Sequence, residues 1–178
     1  KVTGESVIKP EYTGDGTLVL EPTYKHIILL DLDEWGNSIV LDDGLFLACE
    51  STLKQKAVRR KTFSSAFAGG EGFFNLGLKG SGVVCIESDC SREELVEITL
   101  EDDVVKIDGN LAIAWSGSLD FTVERAGKSL LGSAASGEGL VNVYRGTGKV
   151  LLAPVGNQAM KPQQVIEKEP VIVGDDDE

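Results

Sequence analysis

Apolar and polar residues alternate over short stretches along most of the chain. A period of two is typical of a β-strand with one buried face, whereas an unbroken apolar run such as residues 27–30 indicates a strand covered on both faces. On this basis strands are predicted over residues 17–21, 27–30, 39–41, 73–78, 83–87, 104–107, 111–115, 119–123, 140–144 and 150–152. Only the run from Ser91 to Glu94 carries a helix start signal, which predicts one short helix before Leu95. The predicted fold is therefore nearly all β.

Pairs of glycines recur along the chain at a spacing of 66 residues. The three Gly-x-Gly pairs are Gly14 and Gly16, Gly80 and Gly82, and Gly146 and Gly148. Each pair opens a predicted strand, and a glycine in that position marks a bulge or a corner of a sheet. We therefore predict tandem modules of about 66 residues, two nearly complete and a third cut short, that wrap into a double-stranded β-helix or a β-sandwich.

The repeated pattern ends near residue 155. Residues 1–155 are predicted to form a single β domain of two full repeats and one partial repeat. Beyond it, Pro162 and Pro170 separate mostly polar residues, and the sequence closes on an acidic run. Residues 156–178 are therefore predicted to be an extended, Pro-containing acidic tail.

Charge and cysteine content narrow the possible partners and compartment. The 178 residues carry 17 basic and 29 acidic side chains, a net charge of −12, which disfavours a nucleic-acid partner because phosphate binding relies on clustered Lys and Arg. No run of 18 apolar residues occurs, so no transmembrane segment is predicted. Cys49, Cys85 and Cys90 are too few for a disulfide scaffold, and buried thiols are preferred over a Cys85–Cys90 pair. With no leader pattern at the start, a cytoplasmic location is expected.

No catalytic or metal-binding motif is complete in this sequence. The single histidine, His26, cannot supply the several imidazoles of a cupin-type metal site or, without a Gly-x-Ser-x-Gly motif, a hydrolase triad. The acidic run from Asp31 resembles a calcium loop but has Trp35 at its fifth position, so a turn between strands is the preferred interpretation. The Gly-x-Gly pairs lack the third glycine of a dinucleotide-binding motif. We therefore expect no enzyme, cofactor or metal site.

Two groups of side chains are candidates for binding. The first is the basic run of Lys54, Lys56, Arg59, Arg60 and Lys61. This run either binds nucleic-acid phosphates or keeps an exposed strand edge from pairing with other sheets. Because it contains no aromatic residue on which bases could stack, the second role is preferred. The second group, for which packing in the core is the alternative, forms the possible walls of a small-molecule site: Trp35, Phe73, Phe74 and Trp115.

Four ordered motifs carry a resemblance to a known family. They are Gly70-Glu71-Gly72-Phe73-Phe74, Gly80-Ser81-Gly82-Val83-Val84, Ser136-Gly137-Glu138-Gly139-Leu140 and Gly146-Thr147-Gly148-Lys149-Val150-Leu151-Leu152. Together they resemble the altered inheritance of mitochondria family, member twenty-four, from about Gly4 to Pro154. The resemblance implies a double-stranded β-helix fold grouped with the tryptophan RNA-binding attenuator protein, and closed ring-like oligomers with a trimer favoured. It implies no catalytic residue, and it links mitochondrial relatives to inner-membrane organisation and respiratory assembly.

Three functional hypotheses follow, in order of preference. The first is a non-enzymatic homo-oligomeric scaffold or adaptor with an unidentified protein partner, because closing an oligomer buries strand edges that a lone sandwich leaves open. The second is a small-molecule-binding oligomer with a pocket in or between the β-helices. The third is RNA binding through residues 54–61. Fold-level kinship to an RNA-binding protein does not itself transfer that function.

Overall fold

Antiparallel strands make up the fold in the computed structural model, which describes residues 10–21, 23–59, 74–108, 111–125 and 140–154. These residues form ten strands: β1 His26–Asp31, β2 Ser38–Leu41, β3 Phe46–Cys49, β4 Lys54–Arg59, β5 Phe74–Lys79, β6 Val83–Ser88, β7 Val96–Asp108, β8 Ala112–Ser116, β9 Asp120–Arg125 and β10 Leu140–Leu152. A short 3-10 turn, Leu32–Trp35, joins β1 to β2. The all-β prediction is confirmed. The predicted tail, residues 156–178, lies outside the described residues.

The strands form two sheets of different size. The smaller sheet has the order β1-β6-β3. The larger has the order β4-β5-β2-β8-β10-β7, with β9 also paired to β10. The thirteen-residue β10 reaches both of these neighbours because its first half pairs with β9 and its second half with β8, while β7 runs along its other side. The larger sheet therefore curls.

A hydrophobic core lies between the two sheets. Alternate residues of β1, such as Ile28 and Leu30, are buried there, while their neighbours on the strand face outward. From the larger sheet, Ile39, Leu41 and Leu78 reach into the same core. This alternation is the pattern of an antiparallel sheet with one covered face. The prediction that residues 27–30 are covered on both faces is therefore wrong, because Ile27 and Leu29 are exposed in the single chain.

A second core fills the curl on the far face of the larger sheet. Val40 belongs to it, because its side chain points opposite to those of Ile39 and Leu41. Tyr144 and Val150, on either side of the bend in β10, are both completely buried in it. The larger sheet is thus covered on both faces near its centre, which explains the continuous apolar run of β2.

The bend in β10 falls at one of the glycine pairs found in the sequence. The pairing register of β10 with β7 shifts between Gly146 and Gly148. A Cβ on Gly148 would lie 2.7 Å from the Ser116 side chain, so only glycine lets the strands approach this closely. Facing the bend on β7, Asp102 has a φ of 52°, and its N–H donates to Thr147 Oγ1 at 3.0 Å. The bend is therefore a corner of the sheet that these contacts hold in place.

Strand pairings in the first half of the chain recur in the second half. Ser38 pairs with Lys79, and the residues 66 positions later, Val104 and Arg145, also pair with each other. Two further pairings recur after the same step. Phe46 pairs with Ile86 as Ala112 does with Leu152, and Lys54 pairs with Lys79 as Asp120 does with Arg145.

Two predicted elements are wrong. Residues 17–21 form no strand and have no hydrogen-bonded neighbour among the described residues, leaving Leu18 57% and Val19 85% exposed. An alternating pattern needs a partner strand before it becomes β structure, and none is supplied here. The predicted helix at Ser91 is a single turn. Glu94 accepts a bond from the Ser91 N–H at 2.8 Å, as a capping box requires, but the chain enters β7 directly afterwards.

Candidate functional site

A cavity of about 380 Å³ opens on the face of the larger sheet that carries the second core. Its volume falls in the range of small-molecule sites in proteins. Residues of β2, β4, β5, β8 and β9 line it, together with the turn between β8 and β9. The lining runs from Ser38 to Phe121, which are 83 residues apart in the sequence, so only the sheet pairing brings these segments together.

The floor of the cavity is a row of paired residues across four strands. Lys56 on β4 pairs with Gly77 on β5, Gly77 pairs with Val40 on β2, and Val40 pairs with Trp115 on β8. Gly77 is buried in the middle of this row. Any side chain there would meet Val58, whose Cγ2 lies 2.7 Å from the position of an added Cβ. The absence of a side chain at Gly77 therefore lets Val58 pack closely over the backbone of β5.

Aromatic side chains form one wall of the cavity, at the Trp115 end of the floor. Trp115 and Phe121 both line the cavity, and their ring centroids lie 5.1 Å apart. Tyr144 packs behind them, 5.4 Å from Trp115 and 5.1 Å from Phe121. Such tilted and edge-on contacts hold the rings in place. The wall is thus apolar and held by packing against the second core.

Positive charge predominates at the cavity. Lys56 and Lys79 line it and are exposed, while Asp120 is the one acidic side chain among the lining residues. Lys54 lies directly opposite Lys79 on the same face. In the described part of the chain none of these three lysines forms an ion pair. Like charges placed opposite each other destabilise a strand pair, so this arrangement is unexplained by sheet stability alone.

The residues singled out from the sequence fall in different places. Trp115 lines the cavity, but Trp35 is buried in the core between the sheets. Phe74 begins β5, and Phe73 lies outside the described residues. Of the basic run, Lys54, Lys56 and Arg59 lie on β4, at an edge of the larger sheet, and Arg60 and Lys61 lie outside the described residues. Sequence reasoning missed Val40, Gly77, Lys79 and Phe121 as cavity residues.

The glycine pairs also differ among themselves. Gly80 and Gly82 lie between β5 and β6, against the turn that joins β3 to β4. Gly14 and Gly16, by contrast, have no neighbour within 4 Å among the described residues. The first pair therefore has no described neighbour of the kind that Thr52 provides at Gly80 and Ser116 provides at Gly148.

A second feature is the apolar outer face of the smaller sheet. On β1, Ile27 is 51% and Leu29 is 68% exposed. Leu29 pairs with Cys85 and Ile27 pairs with Glu87, so all four side chains share this face. Among the described residues, the buried Glu87 Oε1 has no hydrogen-bond partner, which is unusual for a carboxylate oxygen. In the part of the chain that the structure describes, no element covers this face of the smaller sheet, which we call the outer face.

The three cysteines are free thiols. Burial raises the pKa of Cys49 and of Cys85, and the nearby Glu87 carboxylate raises that of Cys85 further. A raised pKa lowers the thiolate fraction at neutral pH, and the thiolate is the nucleophile. Neither thiol is therefore activated for nucleophilic chemistry.

A charged cluster joins β7, β9 and β10. The Arg145 guanidinium donates to the Glu124 carboxylate, and Lys106 Nζ lies 3.7 Å from the other Glu124 oxygen. Hydrogen bonding from Arg145 lowers the pKa of Glu124. The cluster links three neighbouring strands, so its role in the fold is structural.

Replacing Arg145 with methionine should raise the pKa of Glu124 toward its ordinary value. Because the pKa of Glu124 is lowered in the folded protein, its contribution to stability is present above the ordinary carboxyl pKa and is lost as pH falls through the lowered value. An NMR titration of the Glu124 carboxyl carbon measures the change. Arg92→Met, next to Glu97, is the control and should leave Glu124 unchanged. An unaltered titration in Arg145→Met would contradict the assignment.

The described residues contain neither a cluster of metal ligands nor a membrane-spanning helix. Within the described ranges, no three His, Cys, Asp or Glu side chains come together as metal ligands. Over those ranges there is also no helix with the length and apolar character needed to cross a bilayer.

The fold and its cavity define a small antiparallel β protein with two stacked sheets. The mitochondrial biogenesis AIM24 family matches over residues 1–155, and the chain belongs to that family. This confirms the resemblance found from the sequence motifs. An uncharacterized protein of Streptococcus pyogenes serotype M6 is 32% identical over 154 residues, which cover 85% of this chain and 60% of the relative. The chain therefore spans about three fifths of that relative's length.

A solved structure shares the fold. The crystal structure of a Streptococcus pyogenes protein matches with a TM-score of 0.56 and 30% identity, over 74% of this chain and 55% of that one. The bacterial relative identified by sequence is itself uncharacterized, so the comparisons establish the family without an activity.

Proposed function

We propose that the protein is a non-enzymatic scaffold or adaptor that works as a closed homo-oligomer, with a trimer as the expected form. The outer face of the smaller sheet carries this proposal. An apolar sheet face is stable when another layer covers it, and an exposed one marks an interaction site. The edge strands β1 and β3 of the same sheet also leave backbone groups open for pairing.

Glu87 supports a protein partner on this face. Its unpartnered Oε1 lies among Ile27, Leu29 and Cys85, where a hydrogen-bond donor from another chain would satisfy it. A second copy of the chain is the occupant that needs no further component. The free thiols fit a reducing compartment such as the cytoplasm. As the family name suggests for mitochondrial members, the role we propose is to organise larger complexes rather than to catalyse a reaction.

The proposal includes the tandem architecture. The recurrence of strand pairings at a step of 66 residues supports two modules of a double-stranded β-helix, as in attenuator-like folds. In such a stack, the inner face of one module covers the outer face of the next. The outer face of the smaller sheet is the one such surface left uncovered in the described residues.

Leu29→Asp tests the scaffold proposal. Native mass spectrometry of the unaltered protein should give a multiple of 19.0 kDa, with threefold expected, and the aspartate should shift it to the monomer because a charge cannot be buried unpaired in the contact. Val104→Asp is the matched control, since Val104 is a similarly exposed apolar residue on β7 of the other sheet. A monomer in the unaltered protein, or an oligomer that survives Leu29→Asp, would contradict the proposal.

Small-molecule binding is a second candidate function. The observation that favours it is the cavity, which combines an apolar floor around Val40 and Val58 with a packed aromatic wall. RNA binding has weaker support. The aromatic rings near Lys56 are largely or half buried, so they offer no open platform for stacked bases.

A further inference from the structure

We infer that the cavity binds a small amphipathic anion, a carboxylate with an apolar body. This inference rests on the small-molecule candidate function and is independent of the oligomer. Three observations carry it: the shape of the floor, the apolar lining on one side, and the lysines at the exposed side.

The apolar floor of the cavity favours an apolar group on the ligand. Val40, Gly77 and Val58 form a surface without a polar side chain at its centre, and Trp115 continues it on the next strand. Gly77 lies inside a strand, where a glycine weakens the sheet unless something approaches the backbone closely. The Val58 side chain supplies that approach, and it leaves an apolar surface against which a ligand carbon chain can lie.

The charges favour a negative head group. Lys56 and Lys79 are both exposed lining residues, and in the described part of the chain neither has an ion-pair partner. They stand on adjacent strands, with Lys56 opposite Gly77 and Lys79 two residues further along β5. A carboxylate between two ammonium groups forms charge-assisted hydrogen bonds to both. The positive charge is local, since the chain as a whole carries −12.

A cation or a neutral molecule would fit less well. Asp120 is the only acidic lining residue, and it already has an interaction within the protein. A cationic ligand would therefore face two lysines without a free counter-charge. A neutral ligand would gain the apolar contact but leave both ammonium groups unpaired. Selectivity for the anion is thus a direct consequence of the lining.

Titration calorimetry with octanoate tests the inference, with octanol and octylammonium as uncharged and cationic probes of the same chain length. Octanoate should bind at least about tenfold more tightly than either. The double change Lys56→Gln with Lys79→Gln should reduce octanoate affinity to the level of octanol and leave octanol unchanged. Lys54→Gln is the matched control, because Lys54 lies on the same face but does not line the cavity.

The outcomes of this experiment distinguish the anion preference from the small-molecule binding on which it rests. Equal binding of octanoate and octanol, unaffected by the lysine changes, would overturn the anion preference while leaving an apolar ligand site. Failure of all three probes to bind would overturn both the inference and the small-molecule candidate. Neither result bears on the scaffold proposal, which the oligomer mass tests separately.

Discussion

Gly80→Ala is expected to lower the free energy of unfolding by roughly 2–4 kcal/mol, the sum of backbone strain and a steric clash. Gly80 has a φ of 138°, which L-residues rarely adopt. An added Cβ would lie 2.8 Å from the carbonyl oxygen of Thr52. That oxygen belongs to the backbone, and the Gly80 N–H is fixed by its bond to the Asn37 carbonyl at 3.0 Å. Neither side of the contact moves without disturbing a neighbouring turn.

Gly16→Ala is the control, because Gly16 belongs to the first Gly-x-Gly pair, where it takes the place that Gly82 has in the second pair. It has no neighbour within 4 Å among the described residues and needs no left-handed φ. Its change should stay within about 0.5 kcal/mol of the unaltered protein. Urea denaturation followed by circular dichroism measures both variants. Equal midpoints for the two would show that Gly80 is not a packed corner.

The contrast between these glycines marks what a repeated motif can predict. The 66-residue spacing identified Gly80, Gly82, Gly146 and Gly148, all of which lie at bends or turns with positive φ. It identified Gly14 and Gly16 equally well, yet these pack against nothing described. The difference depends on the turn after β3, which supplies Thr52 to Gly80. A neighbour distant in sequence is invisible to a local pattern.

Strand prediction failed for the same reason. Residues 17–21 alternate as β6 does, but β6 lies between β1 and β3 whereas residues 17–21 have no described partner. Alternation reports which side chains could be buried, and hydrogen-bonded pairing decides whether a strand forms. The ranges near β1, β2, β6 and β8 were predicted well because each has partners on the sheet.

The cavity was predictable in part. Trp115 and the lysines of β4 stood out by residue type, but no local pattern connects them, because the connection is made by strand pairing across β5 and β2. Lys79 was missed because only its position opposite Lys54 gives it significance. One local signal was available: Gly77 lies inside the predicted strand 73–78, between Leu76 and Leu78. An interior glycine of that kind indicates close approach by another group.

Tyr144→Ala is expected to lower the free energy of unfolding by roughly 3–5 kcal/mol, which is the range for removing a large aromatic side chain from a core. Tyr144 is 1% exposed and contacts the rings of both Trp115 and Phe121. The alanine leaves a void behind the cavity wall, and Val150 and Leu100 belong to the same core. At about 2–4 °C per kcal/mol for a protein of this size, the midpoint temperature of thermal unfolding should fall by about 10 °C.

Tyr24→Ala is the matched control, since Tyr24 is fully exposed and the same atoms are removed. Its unfolding temperature should change by no more than about 2 °C. Because Phe121 and Trp115 are held by Tyr144, the Tyr144 variant should also bind octanoate more weakly at a temperature where it remains folded. A destabilised variant with unchanged octanoate affinity would show that the cavity wall keeps its shape without Tyr144. Equal stability of the two alanine variants would instead mean that the second core does not contribute to folding as its burial indicates.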